Sequence, residues 1–175
     1  MTTLWLLRHG PTAASEAGAP LGHLDLPVSA AGQALWPGVK ARLLGLGIEH
    51  VRSSDLRRAR EHATDLGLPL QVLDGLREQD FGEWDGRRWS EIEEAEAFFA
   101  DPVHQAPPGG EAFSECAERA VNAVRDVPAE GPSTLLVFAH AGPLRAILAW
   151  FLGLPPERAL EFGWEPFGLT RLDLY

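Results

Sequence analysis

Cysteine is almost absent. One thiol, Cys116, stands in 175 residues, so an internal disulfide is excluded and a reducing compartment fits. Cys116 falls in a helical pattern and is expected to be a small packed side chain, not a nucleophile. A basic stripe is also missing. Fifteen basic residues stand against 25 acidic ones, for a formal net charge of −10, which argues against a nucleic-acid partner. No apolar run approaches the roughly 20 residues that span a bilayer; the longest, Ala146 to Leu154, is far shorter, and no membrane partner is expected. The amino terminus lacks a basic flank followed by a long apolar segment, so a signal peptide is not expected. Internal repeats and low-complexity tracts do not occur. The composition, 45% hydrophobic and 23% charged, is that of an ordinary soluble globular protein. A cytoplasmic setting is expected, and the length suits one domain over residues 1–175.

Two apolar runs stand out, and both end at a histidine. Leu4 to Leu7 reads as a short strand buried on both faces, as in a parallel sheet, and stops at Arg8-His9-Gly10. Thr134 to Ala139 repeats the pattern and stops at His140-Ala141-Gly142-Pro143, where the proline suits the first positions of a helix. In open α/β sheets ligands bind at the carboxyl ends of the strands. A helix amino terminus beside an imidazole is a natural anion site. Each strand end could be a satisfied polar terminus, but two together could face each other across a phosphate.

Between these runs the chain alternates. Residues 11–27 read as a loop punctuated by glycine and proline, with His23 as a surface histidine. Ser29 reads as the cap of a helix carrying Leu35, Val39, Leu43 and Leu46, which Pro37 should start or kink. Residues 49–52 form a short strand, and Ser53-Ser54-Asp55 should cap a helix over 56–66 in which Arg57 and Arg60 face solvent. Residues 70–73 are a third strand. The acid-rich segment 77–86 follows, its aromatics Phe81 and Trp84 joining Trp89 in a satellite core or a substrate platform. An acidic helix over 90–99 could act as a lid, and a helix over 111–127 carries Arg119 and Arg125. A buried helix over 144–153 has Arg145 as its only charge, expected to be an ion-pair partner. A short helix begins at Pro155-Pro156, and 167–175 is a terminal edge strand. Strands and helices alternate throughout, so the expected fold is α/β, a three-layer α/β/α sandwich with a mostly parallel central sheet.

The run Leu6-Leu7-Arg8-His9-Gly10-Pro11-Thr12 resembles the signature of the histidine phosphatase (phosphoglycerate mutase-like) superfamily. Four further blocks are similar to that family's, in its order: Ser54 to Ala59, Leu76 to Gly86, Pro108 to Glu111 and Phe138 to Gly142. The resemblance implies that His9 is the nucleophile, forming a phosphohistidine, that Glu78 is the general acid, and that Arg58 binds phosphate. Arg8 and Arg58 would meet the phosphate dianion, with His140 as a further cation when protonated. Flanking arginines should disfavour protonation of His9. Glu78 would have to hold a proton near neutral pH to protonate a departing alkoxide, and would then deprotonate the attacking water. The backbone at Ala141 is also expected at the phosphate.

The chain departs from the family pattern in several places. Ser15 stands where an asparagine often contacts the phosphate, Pro11 where glutamate is common, His62 where threonine is usual, and Ala141 where glycine follows the second histidine. The length and the segment Phe81 to Gly86 look most like the α-ribazole phosphatase branch. The expected activity is therefore hydrolysis of a small phosphomonoester such as α-ribazole 5′-phosphate, with no cofactor, no metal, and a monomeric or homodimeric chain. The alternatives are a phosphoglycerate mutase-type phosphotransfer, a silent phospho-ligand binder, and a metallohydrolase. Arginines beside the histidines argue against the last, because they would repel a divalent cation.

Overall fold

The computed structural model describes residues 1–127 and 134–174. Along the chain run β1 (Thr2–Arg8), α1 (Ala13–Glu16), α2 (Ala30–Leu44), β2 (His50–Ser53), α3 (Arg57–Asp65), β3 (Leu70–Val72), α4 (Ala95–Ala100), α5 (Phe113–Asn122), β4 (Thr134–Ala139), α6 (Ala141–Phe151), α7 (Pro156–Ala159) and β5 (Leu169–Leu174). The sheet order is β3-β2-β4-β1-β5. β1, β4, β2 and β3 are parallel, and β5 closes one edge antiparallel to β1.

The period of two along the central strands builds the layers. Leu4 and Leu6 of β1, with Leu135, Val137 and Ala139 of β4, face one way and pack with Ala120 of α5, Val124 just after it, and Leu144 and Ile147 of α6. Leu7, Leu136 and Phe138 face the other way, onto Trp36, Leu43, Ala59 and Ala63 from α2 and α3. Both faces of the sheet are thus covered by helices, which is why its strands read as unbroken apolar runs. Each such side chain, fully buried, stabilises the fold by roughly 1.5–3 kcal/mol.

The register of the two central strands places the chemistry. Arg8 lies opposite Ala139, and the His9 N–H donates to the Ala139 carbonyl at 3.0 Å. His9 and His140 therefore leave the sheet side by side.

Several local expectations change. The loop over 11–27 contains the single-turn helix α1. Ser29 caps α2 by accepting from the Gly32 N–H, but Pro37 neither starts nor ends that helix: it sits inside. The ring is on the exposed side, so the Gln33 carbonyl deprived of a partner can turn to water. Leu35 is 59% exposed, and Trp36, at 6%, faces the core in its place. The N-cap of α3 is Leu56, with no side-chain cap bond, although Ser54 Oγ accepts from the Leu56 N–H at 3.2 Å. The acidic helix shortens to α4, preceded by a 3₁₀ turn over Trp89–Glu91. The helix over 111–127 shortens to α5. Of the terminal strand, Tyr175 lies outside the described residues. Trp84, Ile92 and Phe98 form a separate buried cluster with Phe81 and Trp89 against it, so these aromatics are a satellite core. Cys116 is fully buried, and burial pushes its thiol pKa well up. Among the described residues no helix is long and apolar enough to cross a membrane.

Candidate active site

His9 is buried where β1 ends. Its Nδ1–H donates to the Gly10 carbonyl at 2.6 Å, which fixes the tautomer and leaves the Nε2 lone pair free. Burial first, then Arg58, pushes its pKa well below the ordinary imidazole value, against the opposing Gly10 bond, and Arg8 pushes the same way. The ring is neutral at pH 7 and has one open nitrogen. That is what a nucleophile needs.

His140 meets His9 edge-on, with ring centroids 4.9 Å apart. Its Nδ1 accepts from Arg58 Nε at 3.1 Å, and its Nε2–H donates to Ser54 Oγ at 2.9 Å. Burial and the guanidinium of Arg58 hold this imidazole well below its usual pKa too. The charge expected of His140 is therefore missing near neutrality; cationic character comes from the arginines.

Arg58 is 1% exposed. Besides His140 it donates to the carbonyls of Leu24 (3.0 Å), Leu21 (3.2 Å) and Gly22 (2.6 Å). Burial lowers its pKa to about 10, with Glu78 the largest opposing influence. The carbonyls belong to a strap over residues 21–24 that Asp85 holds down, accepting from the Gly22 N–H at 2.8 Å and the Leu24 N–H at 2.6 Å. His23, expected at the surface, clips the same strap to the acid-bearing segment. Its Nε2 is 2.9 Å from the Glu78 carbonyl and its Nδ1 3.4 Å from Asp80. Arg8 donates through Nη1 to the Trp164 carbonyl, while its buried Nε has no hydrogen-bond partner among the described residues. A buried charged donor of this kind is costly until an anion takes it. Burial lowers the Arg8 pKa, Glu78 opposes that, and Arg145 adds to it.

Glu78 docks on the start of α6. Its Oε1 accepts from the Gly142 N–H at 3.0 Å and the Gln79 N–H at 2.9 Å. A Cβ on Gly142 would stand 2.1 Å from that oxygen, so glycine leaves the room Glu78 uses in this approach. Ala141 contributes the first N–H of α6, which has no acceptor one turn back in the helix.

A family model for the histidine phosphatase superfamily, branch 1, matches residues 4–175. The chain belongs to that superfamily. It is 33% identical over 171 residues to the adenosylcobalamin/α-ribazole phosphatase of Escherichia coli K12, covering 91% of this chain and 83% of the relative. Its fold is similar to the α-ribazole phosphatase of Shigella flexneri, with TM-score 0.91, 26% identity and 99% and 91% of the two chains covered. It is likewise similar to a mycobacterial glucosyl-3-phosphoglycerate phosphatase solved with VO3, with TM-score 0.88, 28% identity and 99% and 93% covered.

Within this histidine phosphatase, His140 touches both His9 and Arg58 at the sheet edge, and Glu78 sits on the start of α6, directly after His140. Ser15 does not join them in this structure. Its hydroxyl donates to the Thr12 carbonyl at 2.9 Å and accepts from the Thr12 N–H at 3.0 Å, closing the capping box of α1. Arg145 is no ion-pair partner among the described residues; its Nε donates to the Phe162 carbonyl at 2.7 Å. Arg57 pairs with Glu61 along the helix at 2.7 Å, as a solvated residue should. His62 stacks on Trp36, with centroids 4.2 Å apart, and bonds Gln33 at 3.0 Å.

Sequence reasoning missed the residues that hold Glu78 in place. Arg119 donates to the carbonyls of Gly75 (3.0 Å), Arg77 (2.6 Å) and Glu78 (2.7 Å) and pairs with Glu111. Glu111 Oε1 in turn accepts from the Asp80 N–H at 2.9 Å. The signal for this was the Pro108 to Glu111 block: Cβ atoms on Gly110 and Gly82 would stand 2.3 Å and 2.2 Å from the facing backbone. These two stretches touch main chain to main chain. Among the described residues no group of three or more His, Cys, Asp or Glu side chains is placed to hold a metal ion.

Proposed function

We propose that this chain is a phosphomonoesterase that works through a phosphohistidine on His9. The observation that carries the reading is the hydrogen bond from His9 Nδ1 to the Gly10 carbonyl, which presents a neutral Nε2 beside the guanidinium of Arg58. Nε2 attacks phosphorus, the bond to the ester oxygen breaks, and a proton held by Glu78 goes to the leaving alkoxide. Water then attacks the phosphohistidine while Glu78 takes its proton, and inorganic phosphate leaves. Arg8, through its unpartnered Nε, and the Ala141 N–H hold the equatorial oxygens. His140 keeps Arg58 oriented and walls the site. The charge a metal supplies in other phosphoryl-transfer sites is here carried by guanidinium groups.

The substrate we propose is α-ribazole 5′-phosphate. The Escherichia coli relative supports it. An aromatic platform does not, because Trp84 is 4% exposed within the satellite core.

Labelled substrate should leave acid-labile phosphate on the wild-type protein and none on His9→Ala. Turnover by His9→Ala within tenfold of wild type would overturn the covalent route. Activity should survive exhaustive chelation, and vanadate should inhibit; loss on chelation that one divalent metal restores would favour a metallohydrolase. Comparison of kcat/KM for α-ribazole 5′-phosphate, a plain nucleoside monophosphate and 3-phosphoglycerate tests the substrate. A preference for 3-phosphoglycerate would place the activity with sugar-acid phosphates.

A further inference from the structure

Phe167 is the single non-glycine residue with positive φ among the described residues, at 56°. It occupies the third position of a turn, Glu165-Pro166-Phe167-Gly168, closed by the Gly168 N–H donating to the Glu165 carbonyl at 2.8 Å. A proline at the second position and positive φ at the third are the marks of a type II turn, whose third residue is ordinarily glycine. Here the chain sets a phenylalanine in the left-handed conformation and places the glycine one residue later. Such strain persists where the surroundings over-determine it, and it clusters at functional sites.

The surroundings are those of the nucleophile. The Phe167 N–H donates to the His9 carbonyl at 3.2 Å, and the Gly168 carbonyl accepts from the Arg8 N–H at 3.1 Å. The Phe167 ring lies against Gly10: a Cβ there would meet ring atoms at 2.4 Å and 2.6 Å. Behind it, the ring is backed by Trp36 and His62, with centroids at 6.0 Å and 5.8 Å. Gly10 is the residue whose carbonyl takes the Nδ1–H of His9.

We propose that Phe167 is a positioning residue for the nucleophile, its ring clamping Gly10 so that the Gly10 carbonyl faces His9 Nδ1 and Nε2 stays the open nitrogen. The role rests on the proposed phosphohistidine chemistry, but the clamp itself is a statement about one tautomer and can be read without turnover. A side chain at Gly10 would displace the ring, and a small residue at Phe167 would release the carbonyl. The strain then has a function: only a residue held in that conformation brings a flat ring onto Gly10 while its own N–H reaches the His9 carbonyl.

Phe167→Gly keeps the backbone turn, because glycine is the residue the turn prefers, and removes only the ring that packs on Gly10, Trp36 and His62. The expected result is a lowered Tm from the lost ring packing, together with single-turnover phosphorylation of His9 slowed by about tenfold or more and little change in substrate affinity. Nitrogen NMR of the imidazole should report a single tautomer, Nδ1 protonated, in the wild-type protein and a mixture in Phe167→Gly. Phe167→Tyr, which keeps the ring, should restore both the rate and the tautomer. The proposal is overturned if Phe167→Gly keeps the wild-type tautomer, or if Phe167→Tyr fails to restore the rate. Should the wild-type protein hydrolyse no phosphomonoester, the chemical reading fails, and the NMR comparison still decides the clamp.

Discussion

At the scale of residues the site is a set of side chains whose hydrogen bonds are already assigned. His140 has both nitrogens engaged, Arg58 has four bonds to its own chain, and His9 has one nitrogen held and one open. Glu78 is seated against the Gly142 N–H at the start of α6 and the N–H of its neighbour Gln79. If it delivers the proton to the leaving group, Glu78→Gln should reduce hydrolysis of alkyl phosphates far more than that of p-nitrophenyl phosphate, whose leaving group needs little help. Equal losses on both, read as kcat/KM, would assign Glu78 to support of the site. His9, Arg8 and His140 were legible in the sequence because each stands at the end of an apolar run, and strand ends meet at one edge. The contacts of Arg119, Glu111 and Phe167 were not, because they are made to main-chain groups far away in the chain. Ser15 shows a local competition the sequence hides: a serine three residues after Thr12 is engaged as a capping partner.

At the scale of elements, the strands and the helices α5 and α6 were legible in the sequence pattern, whereas α2 shows where that reading fails. Its Pro37 signals a break, yet Trp36 and Leu43 anchor the helix on both sides of it. Burial of a tryptophan against Phe138, with its indole N–H on Asp65 at 2.7 Å, outweighs one lost backbone bond. The missing bond remains a cost. Pro37→Ala should therefore raise stability by about 1–3 kcal/mol, net of the greater freedom alanine gives the unfolded chain, and leave kcat unchanged. Denaturant melts and initial rates on the same preparation check both. A loss of stability would mean that the proline is what shapes the helix against the sheet.

At the scale of the whole molecule, three histidines are held with depressed pKa values. His9 and His140 lie well below their ordinary value through burial and Arg58, and His62 is lowered through burial, with Glu61 and Asp65 opposing. In the unfolded chain they titrate near pH 6.5. Below that pH the unfolded state binds protons that the folded state refuses, so stability falls as the pH drops from about 6.5 toward the folded pKa values. Each such imidazole contributes a slope of at most about 1.4 kcal/mol per pH unit. Asp55, drawn down chiefly by its bond to Arg77, adds a separate loss only at lower pH, as it protonates. Urea melts from pH 8 to pH 5 should be level above 7 and decline below 6.5. A flat profile through that range would contradict the burial of neutral imidazoles. The α/β class was legible at this scale because alternation of elements is a property of the whole pattern, and net charge said nothing of where Arg8 and Arg58 are buried inside an acidic protein.

The antiparallel pairing of β5 with β1 also governs how the protein comes into being. Thr2 is paired with Leu174 and Leu7 with Leu169, so β1 waits for a strand made much later in synthesis. Contacts that join such distant parts of a chain form late and slowly. The nascent polypeptide can assemble the helices around β2, β3 and β4 while Arg8 and His9 still lack the backbone that steadies them. If His9 acts as proposed, its activity should therefore await the making of β5, and a nascent chain without that strand would hold the imidazole without the backbone contacts of Phe167 and Gly168.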